Sequence, residues 1–144
     1  MYRYANRTKV PSNQSKNEIE KLVEKHGATG FISGTISGLA MIAFEMRDRR
    51  IKFQIPMPML GTKGWPKNTT ENKINAETRR RWRALLLVLK AKLEAVNSDI
   101  VAFDVEFLPF IVLPSGLTVS ENVSPQLPDL LQGKALPPLL GAGA

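Results

Sequence analysis

From about Ala76 to Asn97 the apolar residues Trp82, Leu85, Leu86, Leu89, Leu93 and Val96 recur at intervals of three and four. At about 100° per residue this spacing gathers them into one sector of a helix. Arg79, Arg83 and Lys90 fall along one edge of the sector, and Arg81 and Lys92 along the other. The reverse side, with Ala84, Leu87, Val88 and Ala91, is mild for a solvent face. A helix apolar on two sides is central in its fold or packed against a second copy. The pattern therefore expects a core helix, and leaves a homo-oligomer formed through it open.

Upstream the period changes. Ile51, Phe53 and Ile55 alternate with Lys52 and Gln54, and Ala40, Ile42, Phe44 and Met46 share one face of Leu39–Met46. That period of two predicts half-buried antiparallel strands. Ser37-Gly38 separates the second run from Thr29–Ile36 as a two-residue hairpin signal, and Arg47-Asp-Arg-Arg50 is a charged turn. Pro56 and Pro58 end the third strand, since proline cannot donate to a ladder. Before the strands, Ile19, Leu22, Val23 and His26 fall on one face of a helix over about 16–26, with Gly27 as its left-handed stop. Ser15-Lys-Asn-Glu18 has the form of a capping box for that helix. Thr118-Val-Ser-Glu121 has the same form and leads into a short helix that Pro125 and Pro128 would kink or end. Residues 103–110 suit a short helix or a strand.

These elements predict an α+β fold. A three-stranded antiparallel sheet is packed by an N-terminal helix and one long basic-edged helix, with an irregular helical C-terminal region. Residues 1–14, with Tyr2, Arg3, Tyr4, Arg7 and Lys9 ahead of Pro11, are expected as a basic arm. Residues 15–132 are expected as a single domain containing a long basic loop at 56–74, and 133–144 as a loose tail.

Arg81–Val96 and Ile111–Val119 are similar to segments of small uncharacterised bacteriophage and prophage proteins. Gly27-Ala-Thr-Gly-Phe31 and the strand exit Pro56-Met-Pro58 match the layout of that group. The resemblance covers about two thirds of the chain. It implies a phage origin and a place in the cytoplasm of a bacterial host, and it carries over no catalytic residues. Leu117 stands where the group more usually has a basic residue.

Composition and charge sharpen this picture. The 144 residues are 43% hydrophobic and 23% charged, within the ordinary globular range, and include no cysteine and one histidine. Disulfide and thiolate chemistry are thereby excluded. No run reaches the ~18 apolar residues that span a bilayer, and the first residues lack the apolar stretch of a secretory signal. The net charge is +7, but residues 47–92 alone hold thirteen Lys and Arg against three acids, whereas residues 93–144 hold one Lys against six. A field so divided points to an anionic partner.

His26 closes a helix and is expected to meet its terminal carbonyls. Asp104 and Glu106 have no second carboxylate cluster beside them, and no phosphate loop, nucleophile elbow or metal-ligand spacing occurs. No enzyme, metal or cofactor is expected. Lys63-Gly-Trp65-Pro-Lys67 sets an indole between two cations, the pairing on which a base stacks while its phosphates are neutralised. Arg79, Arg80, Arg81 and Arg83 open the long helix, where cations oppose the macrodipole, so an anionic ligand is expected to balance them. Trp82 is expected in the core; Trp65 suits either the core or a ligand.

The expectation is a nucleic-acid-binding protein, single-stranded in preference, that uses Arg79, Arg80, Arg81, Arg83, Lys90, Lys63, Lys67 and Trp65. The other reading is a counter-defence protein that sequesters a small cyclic nucleotide or blocks a host defence protein.

Overall fold

Two tight turns fold residues 30–56 into a sheet. In a computed structural model, which describes residues 2–133 and 135–140 and their side chains from residue 13 onward, β1 (Gly30–Ile36), β2 (Leu39–Met46) and β3 (Arg49–Pro56) pair antiparallel in the order β1-β2-β3. Ser37 and Gly38 (φ 49° and 77°) make the first turn, and Arg47 and Asp48 (φ 51° and 62°) the second. Positive φ at both central residues is the mirror-image turn whose twist matches that of the strands. The registers place Ala40 opposite Ile55, Ile42 opposite Phe53 and Phe44 opposite Ile51, so one face collects the apolar side chains. Strand β3 begins at Arg49, two residues before the alternation starts.

That face is covered by two helices, α1 (Tyr2–Lys25) and α2 (Glu71–Asn97), which lie beside each other. Ile19 and Val23 of α1 and Trp82, Leu85, Leu86, Leu89, Leu93 and Val96 of α2 are buried against Ile42, Phe44, Ile51 and Phe53. Trp82 is only 2% exposed, a core residue as its position in the apolar sector predicts. The reverse side of α2 stays open, with Leu87 57% and Val88 44% exposed. Thr70 caps α2 by accepting from the Lys73 amide.

The N-terminal expectations need correction. Helical backbone runs from Tyr2 through Pro11 to Lys25, where an irregular basic arm over 1–14 and a start near residue 16 were expected. The side chains of Tyr2, Arg3, Tyr4 and Arg7 lie outside the described residues. Ser15 is therefore an interior helical residue, buried, and not a cap. Once the helix continues, the amides of residues 17 and 18 belong to its own ladder, and Ser15 has no orphan donor to satisfy. The far end is as expected: the His26 ring contacts the Leu22 carbonyl (Nδ1···O 2.9 Å), and Gly27 has φ 101°.

Residues 103–118 close the β3 side of the layer. The short helix α3 (Phe103–Glu106) is followed by a 3-10 turn at Leu108–Phe110 and a bridge of Ile111 to Ile51, with the Val112 amide donating to the Arg50 carbonyl. Phe53 stacks on Phe110 (centroids 4.0 Å apart), and Phe107 meets Phe53 edge-on. Helix α4 (Val119–Val123) starts with the expected box: the Thr118 hydroxyl accepts from the Glu121 amide and the Glu121 carboxylate from the Thr118 amide. Helix α5 (Leu127–Leu130) and the stretch 135–140 are exposed, and Lys134 and 141–144 lie outside the described residues.

Replacing Phe107, which is fully buried among these rings, with alanine is expected to cost about 3–5 kcal/mol. Thr118→Ala, which removes one cap, is expected to cost about 1 kcal/mol. Urea titration of the two variants checks both values and their order.

Candidate nucleic-acid interface

The predicted cations fall into two groups that the sequence does not distinguish. Arg80 and Arg81 converge on one carboxylate. Arg80 grips Glu77 with Nε and Nη2 (2.8 and 2.6 Å), and Arg81 Nε donates to the same group at 2.6 Å. Arg81 Nη1 also donates to the Pro56 carbonyl (2.5 Å), tying α2 to the end of β3. The two guanidinium groups, Arg80 foremost, hold the Glu77 carboxyl down at about 2 from its usual 4.5. Arg81 is thus built into the fold, while Arg80 keeps its outer surface in solvent.

The second group is unpaired. Among the described residues Arg79, Arg83, Lys90, Lys63, Lys67 and Lys73 make no ion pair. Arg83 and Lys90 are exposed two turns apart on the edge of α2 away from β3, and Arg79 is half-buried one turn before Arg83. Lys92, on the β3 edge, belongs to the core boundary: it pairs with Glu106 at 3.0 Å and lies over the Phe110 ring at 5.0 Å.

The loop meets the helix through Met57, Pro58 and Met59 beside Asn75, Thr78 and Trp82, and again through Trp65 at the helix start. Trp65, half-buried, is held in a tight turn in which its amide donates to the Thr62 carbonyl and its carbonyl accepts from the Gly61 amide. Trp65, Thr70 and Lys73 line one depression of about 390 Å³ at the N-terminus of α2. By sequence Lys73 falls within the long basic loop expected at 56–74. Its place in the first turn of α2 depends on Thr70 starting the helix. Lys63 and Lys67 are exposed on the same loop, but no contact joins them to Arg79 or Arg83, so the predicted cations form an extended surface and not one closed site.

Two of the larger depressions elsewhere also hold cations. One of about 620 Å³ runs between the 47–48 turn and residues 112–116, but its cations are engaged: Arg49 pairs with Asp104 at 3.0 Å, Arg50 with Glu45 at 2.7 Å, and Arg47 lies over the Phe103 ring. The other, about 410 Å³, opens between α1, the β1–β2 turn and α2, and is lined by Lys16, Thr35, Asn75, Thr78 and Trp82. There Lys16 Nζ lies 4.9 Å from the Trp82 ring centre. Nothing in the periodicity marks Lys16, because its partner ring arrives only when α1 docks on α2.

No group of three or more metal-ligating side chains occurs among the described residues, and no described helix is long and apolar enough to cross a membrane. Comparison with protein-family models, curated proteins and solved structures gives no match.

Because folding lowers the Glu77 pKa, its contribution to stability is complete above about pH 4.5 and is lost as the pH falls towards 2. Urea midpoints measured from pH 6 to pH 2 are expected to fall through that window in the native protein. In Glu77→Gln that part of the decline is expected to be missing.

Proposed function

We propose that this chain is a non-enzymatic protein that binds single-stranded nucleic acid along the exposed face of α2. The observation that carries the reading is the run of exposed cations Lys73, Arg80, Arg83 and Lys90, which starts at the depression shared by Trp65 and Lys73. From Lys73 to Lys90 the helix rises about 25 Å, enough for several successive phosphates. Guanidinium and ammonium groups neutralise phosphates whatever the sequence, and a half-buried indole offers a face on which a base stacks. Arg79, Lys63 and Lys67 flank this path. The reading gives Arg81 a supporting role, since its donors are already engaged.

A phage origin and action within a bacterial host cell, which the resemblance of residues 81–96 and 111–119 implies, are part of the same proposal. A second reading, sequestration of a small signalling nucleotide, rests on the depression between α1, the β1–β2 turn and α2, which is lined by Lys16, Thr35, Asn75 and Thr78.

Anisotropy of labelled oligonucleotides separates the two readings. Single-strand binding is expected to weaken with salt at a log–log slope near −3 for four phosphate contacts, at about −0.7 each. Arg83→Ala with Lys90→Ala is expected to make that slope shallower by about 1.4. A flat salt response, together with calorimetric binding of a cyclic dinucleotide that Thr78→Trp abolishes, would select the second reading.

A further inference from the structure

The two edges of the sheet are treated differently. The outer edge of β3 carries Arg49, Arg50 and Lys52 and is closed by residues 111–112, whose Val112 amide bonds the Arg50 carbonyl. The outer edge of β1 has none of this. Its sequence, Gly-Phe-Ile-Ser-Gly-Thr-Ile, has no charge and no proline, and only Phe31 is even half-buried. Charges, prolines and covering segments are the usual means by which a sheet edge is kept from pairing.

The register shows which main-chain groups are left over. Ile36 and Leu39 flank a two-residue turn and bond each other, so Gly34, Ile32 and Gly30 also direct their amides and carbonyls to β2. Phe31, Ser33 and Thr35 direct theirs outward.

We infer that β1 pairs antiparallel with β1 of a second copy, across a two-fold axis at Ser33, to make a continuous six-stranded sheet. This register matches all three outward residues: Ser33 faces the partner's Ser33, and Phe31 faces the partner's Thr35. On the open face of the sheet it sets Ile32 (59% exposed) opposite the partner's Gly34, and Ile36 (80% exposed) opposite the partner's Gly30. Each large side chain meets a residue without one.

The helix layer supplies the charge complementarity. Lys16 over Trp82 marks the side of α1 that faces α2. Glu18 and Lys25 lie about 160–180° round the helix from it, on the edge that extends beyond β1, and neither makes an ion pair. A two-fold axis brings one copy's Glu18 towards the partner's Lys25, with Leu22 between them. The inference is independent of nucleic-acid binding, since the exposed face of α2 stays free in such a dimer.

Light scattering at hundreds of micromolar is expected to give twice the chain mass. Proline at Ser33 leaves the bonds to β2 intact, because that amide points outward, and is expected to give the single-chain mass. Since the chain has no cysteine, Ser33→Cys offers a second measure: paired Cα atoms about 5.5 Å apart suit a disulfide, so mild oxidation is expected to yield a covalent dimer. Glu18→Lys is expected to weaken the dimer roughly tenfold through its two symmetry-related pairs, and Glu18→Lys with Lys25→Glu to restore it. A single-chain mass for the native protein overturns the inference. So does a dimer that Ser33→Cys fails to link and that Leu87→Lys dissociates, since that result places the contact on α2.

Discussion

The contact between one face of the sheet and the paired helices α1 and α2 holds every other part of the molecule in place. A three-stranded sheet cannot bury both faces with two helices, so the chain commits Ala40, Ile42, Phe44, Ile51 and Phe53 to one side. Leu89 and Val23, fully buried, come from different helices and meet the same surface. Removing that much apolar area from water is the main favourable contribution to folding. It also fixes the rotation of α2 about its own axis. With Trp82, Leu86 and Leu89 turned inward, Arg83 and Lys90 face solvent and Arg81 and Lys92 turn towards β3 and α3.

The sorting of charge follows from that rotation. Thirteen Lys and Arg lie between residues 47 and 92, yet they do not act alike. Those turned towards the β3 side are consumed by the fold: Arg49 by Asp104, Arg81 by Glu77 and the Pro56 carbonyl, Lys92 by Glu106 and two aromatic rings. Those turned away keep their full charge in water. A solvated cation on a rigid helix is already positioned for an anion and loses little hydration until the anion arrives, which favours fast, salt-sensitive association over tight closure.

The fold was largely legible because its elements rest on local periods. The alternation of Ile51, Phe53 and Ile55, the three-and-four spacing from Trp82 to Val96, and the Thr118–Glu121 box each specify their structure within a few residues. The start of α1 was not legible, since Pro11 argues locally for a break that the helical backbone does not make. The site was legible only as a set of residue types. That Glu77 would claim Arg80 and Arg81 depends on i+3 and i+4 geometry, which suits any of several partners on a charged helix. That Arg81 would also reach Pro56, or Lys16 cover Trp82, depends on distances across the chain that no spacing encodes. The bareness of the β1 edge could be read from its composition, but only the covering of β3 by residues 111–112 makes the contrast meaningful.

The two tryptophans sit in unlike surroundings. Trp82 is sealed beneath α1 with 2% of its surface reachable, while Trp65 is half open on the 57–70 loop. A collisional quencher such as iodide would reach one indole and not the other, so the emission of this chain divides into a part that follows unfolding and a part that follows the loop. The molecule thus contains its own pair of optical reporters, one for the integrity of the interior and one for events at the surface where α2 begins.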